Sequence, residues 1–325
     1  MNNKILIYNS GGGLGDSIQL IPIILSVQNT FKNYEIFYIS AHDNHYNGKL
    51  KEYNINVKDL KIDIKYFGFR WWHLFVTKNK FYKLKIDKFD LIIDLQSKLR
   101  NTIILKKIPA ISFYSSTFNF LFCSANKSYL KNSNLCEMTL TNLEKLLDKK
   151  IDYIPYNTTL LPAIYKREAE KLLPNKNYIG FSVTQGNLYR KKSWALKNFI
   201  DLANKISKKN KIPVFFVEKN QNHIIEEIKS NVPNALFPEM KTNLSCPALV
   251  TALASRLEEA VSIDNGIMHM IGLTNVPLTI LFGPTNSDKF APKRENIKII
   301  DSKTLYNSSD INKITVEDIL KKLNF

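Results

Sequence analysis

The stretch Val261–Thr285, VSIDNGIMHMIGLTNVPLTILFGPT, reads as strand, turn, helix, strand and turn. The apolar run Ala260–Ile263 stops at Asp264, and Asn265 and Gly266 open an apolar helix, Gly266–Leu273. A second apolar run, Pro277–Phe282, follows at once. Two strands joined by a helix form a crossover, and crossovers build parallel sheets with helices on both faces. A small polar turn opening a helix presents backbone N–H groups that suit phosphate oxygens. Like charges repel, so Asp264 is a candidate for sugar hydroxyls or for bracing the turn. His269, about one turn into the helix, is a candidate phosphate donor or a satisfied core histidine. In FGPT, Gly283 and Pro284 shape a strand-end turn where Thr285 can hydrogen-bond a ligand.

The same alternation extends both ways. Strands are expected at Lys4–Tyr8, Glu35–Ser40, Asp63–Phe67, Asp90–Leu95 and Ala110–Tyr114, with helices at Asp16–Thr30, Lys98–Lys106 and Met138–Asp148. A second series has strands at Tyr178–Val183, Pro213–Val217, Ala260–Ile263, Pro277–Phe282 and Asn296–Ile300. Its helices are Ala195–Lys208, His223–Ser230, Pro247–Ala254 and Gly266–Leu273. Two series predict two doubly wound α/β domains, 1–155 and 163–310, joined by the Pro-bearing linker Asp152–Pro162. A last helix, Val316–Leu323, capped by Thr315, is expected to carry 311–325 back toward the N-terminal domain. Ligands of open parallel sheets bind beyond the carboxyl ends of the strands, so two such domains are expected to face each other across a cleft.

Composition sets bounds. The 325 residues are 44% hydrophobic and 23% charged, enough to bury two cores. The net charge of +17 favours acidic partners such as phosphorylated small molecules, an anionic membrane face or nucleic acid. No nucleic-acid motif occurs, so no nucleic-acid partner is expected. The three cysteines, Cys123, Cys136 and Cys246, make neither a disulfide framework nor a zinc pattern, which points to a reducing compartment. The absence of a signal-type apolar segment or a run of ~20 apolar residues predicts a cytoplasmic protein.

Three further stretches carry chemistry. GGGLGD, Gly11–Asp16, follows the first strand but lacks the third glycine of the dinucleotide fingerprint and the G-K-[ST] of the Walker loop. Asp16 at a helix start stays ionised, so it is either a cap or a base for a hydroxyl proton. SVTQGNLYRKKSW, Ser182–Trp194, offers Ser182 and Thr184 hydroxyls and the cations Arg190, Lys191 and Lys192, which suit a diphosphate; Trp194 reads as core. In FGFRWWHLFVTKNKFYKLK, Phe67–Lys85, basic and aromatic residues interleave without a regular helical period. Trp71 and Trp72 are expected in the core, with the lysines solvated. The competing reading seats this stretch on a membrane or a phosphorylated glycolipid. Arg70 is assigned to acceptor contact.

Taken in order, these segments resemble glycosyltransferase family 9, the ADP-heptose:lipopolysaccharide heptosyltransferases. The G-D-x(5)-P of that family matches Gly15, Asp16 and Pro22; its K-x-W matches Lys192 and Trp194. Its D-[ST]-G-x-x-H matches Asp264, Asn265, Gly266 and His269, with asparagine in place of the hydroxyl residue; [LF]-F-G-P-T is Leu281–Thr285. A D-x-Q-x(3)-[KR]-[ST] resembles Asp94, Gln96, Arg100 and Asn101.

The resemblance implies a GT-B fold of two Rossmann-like domains, the first binding acceptor and the second nucleotide sugar. It implies an inverting transfer without metal or cofactor. By the same resemblance Asp16 is the general base, and Thr184, Lys192, Asn265, Gly266 and His269 hold the donor diphosphate. Asp264 orients the donor sugar and Met240 lines the adenine pocket. Gly15, Gln96 and Arg100 fall on the acceptor side. The acid that grips the donor ribose has two candidates, Glu218 and Asn222. The implied partners are a nucleotide-sugar donor, ADP-heptose first, and a phosphorylated glycolipid or glycan acceptor, with room for peripheral contact at the cytoplasmic face of the inner membrane. Rival readings are a different nucleotide sugar for another glycan, or a non-catalytic nucleotide-sugar or glycolipid binding protein. The sequence contains no D-x-D metal pair.

Overall fold

The computed structural model describes residues 3–186, 189 and 191–324. Arg190, one of the cations expected in the basic loop, lies outside them. The chain divides into two compact units, Met1–Tyr156 and Asn157–Phe325.

In the first unit β1 (Asn3–Asn9), β2 (Tyr34–Ser40), β3 (Lys58–Asp59), β4 (Phe89–Asp94) and β5 (Ala110–Ser115) form a parallel sheet ordered β3-β2-β1-β4-β5. Helices α1 (Leu14–Thr30), α2 (His73–Tyr82), α3 (Leu99–Leu105) and α4 (Leu135–Leu147) accompany it. β1 lies in the middle, with Ile5 opposite both Ile36 and Leu91. Buried on both faces, its Ile5–Tyr8 run has no polar alternation, as a central parallel strand requires.

The second unit contains β6 (Tyr178–Ser182), β7 (Ile212–Phe216), β8 (Glu259–Ile263), β9 (Leu278–Phe282) and β10 (Ile297–Asp301), also parallel, ordered β10-β9-β8-β6-β7. Its helices are α5 (Ala163–Leu172), α6 (Leu196–Ser207), α7 (Asn222–Asn231), α8 (Pro247–Ala254), α9 (Gly266–Gly272), α10 (Ser287–Phe290), α11 (Ser302–Tyr306) and α12 (Val316–Leu320). Trp194 is buried against Phe199 in this core, and its indole N–H donates to Ile314 O at 2.9 Å.

Both sheets are doubly wound, and in each the strand order reverses once. The reversal falls between β1 and β4 in the first unit and between β6 and β8 in the second. Connections leave such a point in opposite directions, so a crevice opens beyond the strand ends, where ligands of this architecture bind.

Three expectations are corrected. The strand expected at Asp63–Phe67 is a turn, because Asp63 and Tyr66 take left-handed φ of 52° each; the edge strand is β3 instead. The stretch read as lacking a helical period contains α2. Trp71 and Trp72, expected in the core, are exposed beside it. The C-terminal segment buries Ile311, Ile314, Val316, Ile319 and Leu323 in the core of the second unit. α5 is an amphipathic helix that the sequence reading passed over. Among the described residues no helix is long and apolar enough to cross a membrane.

Candidate active site

At the β1/β4 reversal, short polar bonds tie the two strand ends together. Asn9 Oδ1 accepts the Gly11 N–H at 2.9 Å and the Gln96 Nε2–H at 2.8 Å. The backbone N–H of Gln96 donates to Asp94 Oδ1 at 3.0 Å. Asp94 is fully buried, and its Oδ2 accepts the hydroxyls of Thr102 (2.6 Å) and Ser115 (2.9 Å). Burial pushes its carboxyl up to about 7 against these hydrogen bonds. Asp94 thus fixes the turn that aims Gln96, and Gln96 braces the glycine turn through Asn9.

Asp16 is the third residue of α1, with Gly15 just before it. Its side chain is exposed, and Oδ2 accepts the Gly13 N–H at 3.1 Å, the carboxylate half of a capping box. A Cβ on Gly11 would lie 2.8 Å from the Asp16 Cβ, and one on Gly13 would lie 3.0 Å from Oδ2. The missing side chains make room for this carboxylate to fold over the turn, which explains glycines here without a phosphate. Arg100 donates from Nε to Gly68 O at 2.9 Å and lies 6.0 Å from the Phe69 ring centre. Arg70 is exposed in the turn that leads into α2.

The sequence reading missed two histidines at this turn. A Cβ on Gly12 would overlap the His42 ring, and His45 Nε2 lies 3.2 Å from Gly12 O. Beyond β2 and β3 a polar hollow of about 390 Å³ is lined by residues including His42, Asp43, Asp59, Lys61 and Lys65. Only the fold brings these residues together; no spacing in the sequence marks them.

The β6/β8 reversal is built differently. Asn265 caps α9, its Oδ1 accepting the Met268 N–H at 2.8 Å. Its Nδ2 donates across the reversal to Ser182 Oγ at 2.6 Å and Thr184 O at 2.7 Å. Asparagine therefore does the capping work of a hydroxyl and also ties β8 to β6. Its amide is spent on the frame. Lys192 and Asp264 form a buried ion pair, Nζ to Oδ2 3.1 Å. The Lys192 N–H donates to Gln185 Oε1 at 2.9 Å, closing the basic loop. His269 is buried on α9, one turn after Gly266.

Met240 stands exposed on a single 3-10 turn, Pro238–Lys241. Its neighbour Glu239, which the sequence reading did not single out, accepts the Ser245 hydroxyl at 2.9 Å. Burial raises the Glu239 carboxyl, and the charge of Glu218 adds to the rise. Of the two ribose candidates, Glu218 is thus the one whose charge reaches Glu239, the neighbour of Met240 in sequence, while Asn222 starts α7. In FGPT, a Cβ on Gly283 would fall 2.8 Å from the Ile311 Cβ and 2.9 Å from the Ile311 N, so this glycine admits the C-terminal segment. Thr285 Oγ1 is buried and makes no hydrogen bond among the described residues. Among those residues no group of three His, Cys, Asp or Glu side chains is arranged to hold a metal ion.

The comparisons with known proteins agree with this architecture. A glycosyltransferase family 9 protein from Veillonella parvula superposes with a TM-score of 0.71 at 18% identity, covering 98% of this chain and 96% of that one. The E. coli heptosyltransferase WaaC with ADP gives 0.69 at 12% identity, covering 98% of both chains. The E. coli ADP-heptose lps heptosyltransferase II gives 0.64 at 14%, covering 99% of this chain and 97% of that one. No curated protein matches the sequence. The profile described as glycosyltransferase family 9 (heptosyltransferase) matches residues 80–321, a span that holds Gln96, Lys192 and the whole Asp264–Thr285 region and begins after Asp16. Covering well over half of the sequence, that match makes the chain a glycosyltransferase of family 9.

Proposed function

We propose that this glycosyltransferase moves a heptose from ADP-heptose to a lipopolysaccharide core or related phosphorylated glycolipid, with inversion and without a metal ion. The observation that carries the reading is the buried Lys192–Asp264 pair beside the Asn265-capped start of α9, at the strand reversal of a family 9 chain. An ammonium has three N–H donors, so Lys192 can serve Asp264 and a diphosphate oxygen together. Its charge, in a site of low dielectric, offsets the charge that builds on departing ADP. His269 adds a donor from α9, Asp264 orients the sugar, and Met240 and Glu218 flank the adenosine.

Asp16 accepts the proton of the acceptor hydroxyl as its oxygen bonds to the anomeric carbon and the carbon–diphosphate bond breaks on the opposite face. Its exposure leaves it open to a substrate hydroxyl. Gly15, Gln96, Arg100 and Arg70 hold the acceptor, with Arg100 and Arg70 suited to its phosphates. On this reading the enzyme is cytoplasmic and works where its glycolipid acceptor is presented, at the inner face of the inner membrane.

ADP as the nucleotide draws support from the E. coli heptosyltransferase with ADP among the similar structures. A second reading, another nucleotide sugar, is favoured by Asn265 in place of a hydroxyl residue. A thermal-shift panel of ADP-, UDP- and GDP-sugars decides between them. Stabilisation by ADP-heptose alone is the expected result; selectivity for a UDP-sugar would replace the donor, and no shift with any would remove the nucleotide-sugar reading.

A further inference from the structure

The outward face of α2 is aromatic where a helix on a protein surface is ordinarily polar. Its inward face is set by three side chains one turn apart, His73, Thr77 and Phe81, all buried. His73 is held in place: its Nδ1 accepts the Gly68 N–H at 3.0 Å, and its ring stacks on Phe67. Burial, then the charges of Arg100 and Arg70, lower its pKa. The turn before it is pinned from two sides, by the Tyr8 hydroxyl donating to Phe67 O at 3.0 Å and by Arg100 Nε on Gly68 O. The helix is therefore fixed in rotation, and its outer face is a property of the fold.

That outer face carries Phe75, Lys78 and Tyr82, which at 100° per residue fall on one narrow stripe, and Trp71 stands exposed in the turn before the helix. Trp71 is 53% exposed, Trp72 55%, Phe75 78% and Tyr82 85%. From residue 64 to 86 there are six cations, Lys65, Arg70, Lys78, Lys80, Lys83 and Lys85, and no carboxylate. Lys80 is paired with Asp63, at the edge of this span, and the charge of Lys83 reaches the same carboxylate.

We propose that the α2 stripe docks the protein on a lipid bilayer rich in anionic headgroups, with Trp71, Phe75 and Tyr82 set at the headgroup level and the lysines around them on lipid phosphates. Trp and Tyr have an apolar body and a polar edge, which suits them to that layer. Basic residues around an aromatic helix face add electrostatic attraction to acidic lipids. Six cations against the single carboxylate of Asp63 give the charge complementarity that selects an anionic bilayer. The inference is independent of the donor and of the transfer chemistry.

The test is binding of the full chain to phosphatidylcholine vesicles with and without phosphatidylglycerol, by co-sedimentation and by tryptophan fluorescence. Two of the three tryptophans, Trp71 and Trp72, lie on or beside the stripe, and the third, Trp194, is buried, so emission reports the stripe directly. Binding to the anionic vesicles is expected, with a blue shift and quenching by brominated acyl chains. Phe75→Asp and Tyr82→Asp, both at exposed positions, should each weaken binding about tenfold while leaving the melting temperature and the donor-induced thermal shift unchanged. No binding, or binding without acyl-chain quenching, would overturn the proposal, the latter because scattered lysines alone would then explain it. So would binding unaffected by Phe75→Asp, or a protein dimer in solution that Phe75→Asp disperses.

Discussion

The two strand reversals solve opposite problems with the same topology. At β6/β8 the charged groups are buried and already matched, Lys192 to Asp264, and an asparagine stitches the strands beneath them. At β1/β4 the buried polar groups serve only as frame, and the reactive candidate, Asp16, stands in water with one N–H on it. A pocket that must stabilise a departing anion gains from exclusion of water and from dipoles fixed in advance. A base that must meet an incoming hydroxyl needs access.

The comparison breaks most visibly at Asp16. Asp16→Ala should lower kcat by about 10²–10⁴-fold, with little change in melting temperature and a full donor-induced thermal shift. Retained turnover would reduce Asp16 to its cap on Gly13. Next comes Lys192→Ala, which leaves Asp264 buried without its cation and should cost about 3–5 kcal/mol in denaturant unfolding as well as the donor shift. The double variant Lys192→Met/Asp264→Leu should recover most of that stability and none of the donor shift. Recovery of both would show that the pair serves folding only.

Asn265→Ala removes the cap and the bridge to Ser182 and Thr184, a loss on the order of 2 kcal/mol. Asn265→Ser, which restores only the cap, should recover part of it in the same melts. The smallest effect belongs to Asp94. Its carboxyl titrates near 7 folded against an ordinary value of 3.8, so the folded state holds the extra proton between them. Its contribution to stability is therefore greatest at acid pH and falls as the pH rises through about 7. Asp94→Asn keeps the acceptor for Gln96 and should flatten that fall. The variant should gain on the wild type as the pH rises from about 5 to about 8 in urea titrations.

The second unit was the more legible in the sequence because its strands are short, apolar and closed by polar turns. Val261–Thr285 alone contains a whole crossover, and β8, α9 and β9 fall within a residue or two of where the periodicity puts them. The first unit misleads at its edge. Ile62, Ile64 and Tyr66 alternate as in a strand, yet left-handed backbone at Asp63 and Tyr66 folds them into a turn. α2 was hidden for the reason that makes it interesting: His73 and Thr77 point inward and Phe75 and Tyr82 outward, which inverts much of the apolar pattern from which helices are read. For the site, the motif residues could be named from the sequence, but their bonding could not. That Asn265 spends its amide on Ser182 and Thr184, or that His42 packs on Gly12, depends on strands brought together from far along the chain.

The place of Gly283 changes what the FGPT signature records. The backbone at Ser309–Ile311 passes so close over this glycine that any side chain would push it away. A substitution there would act as a wedge under a strap, prising the tail from the floor that supports it before any ligand noticed. Strictness at that position would then measure how tightly the polypeptide is laced to itself.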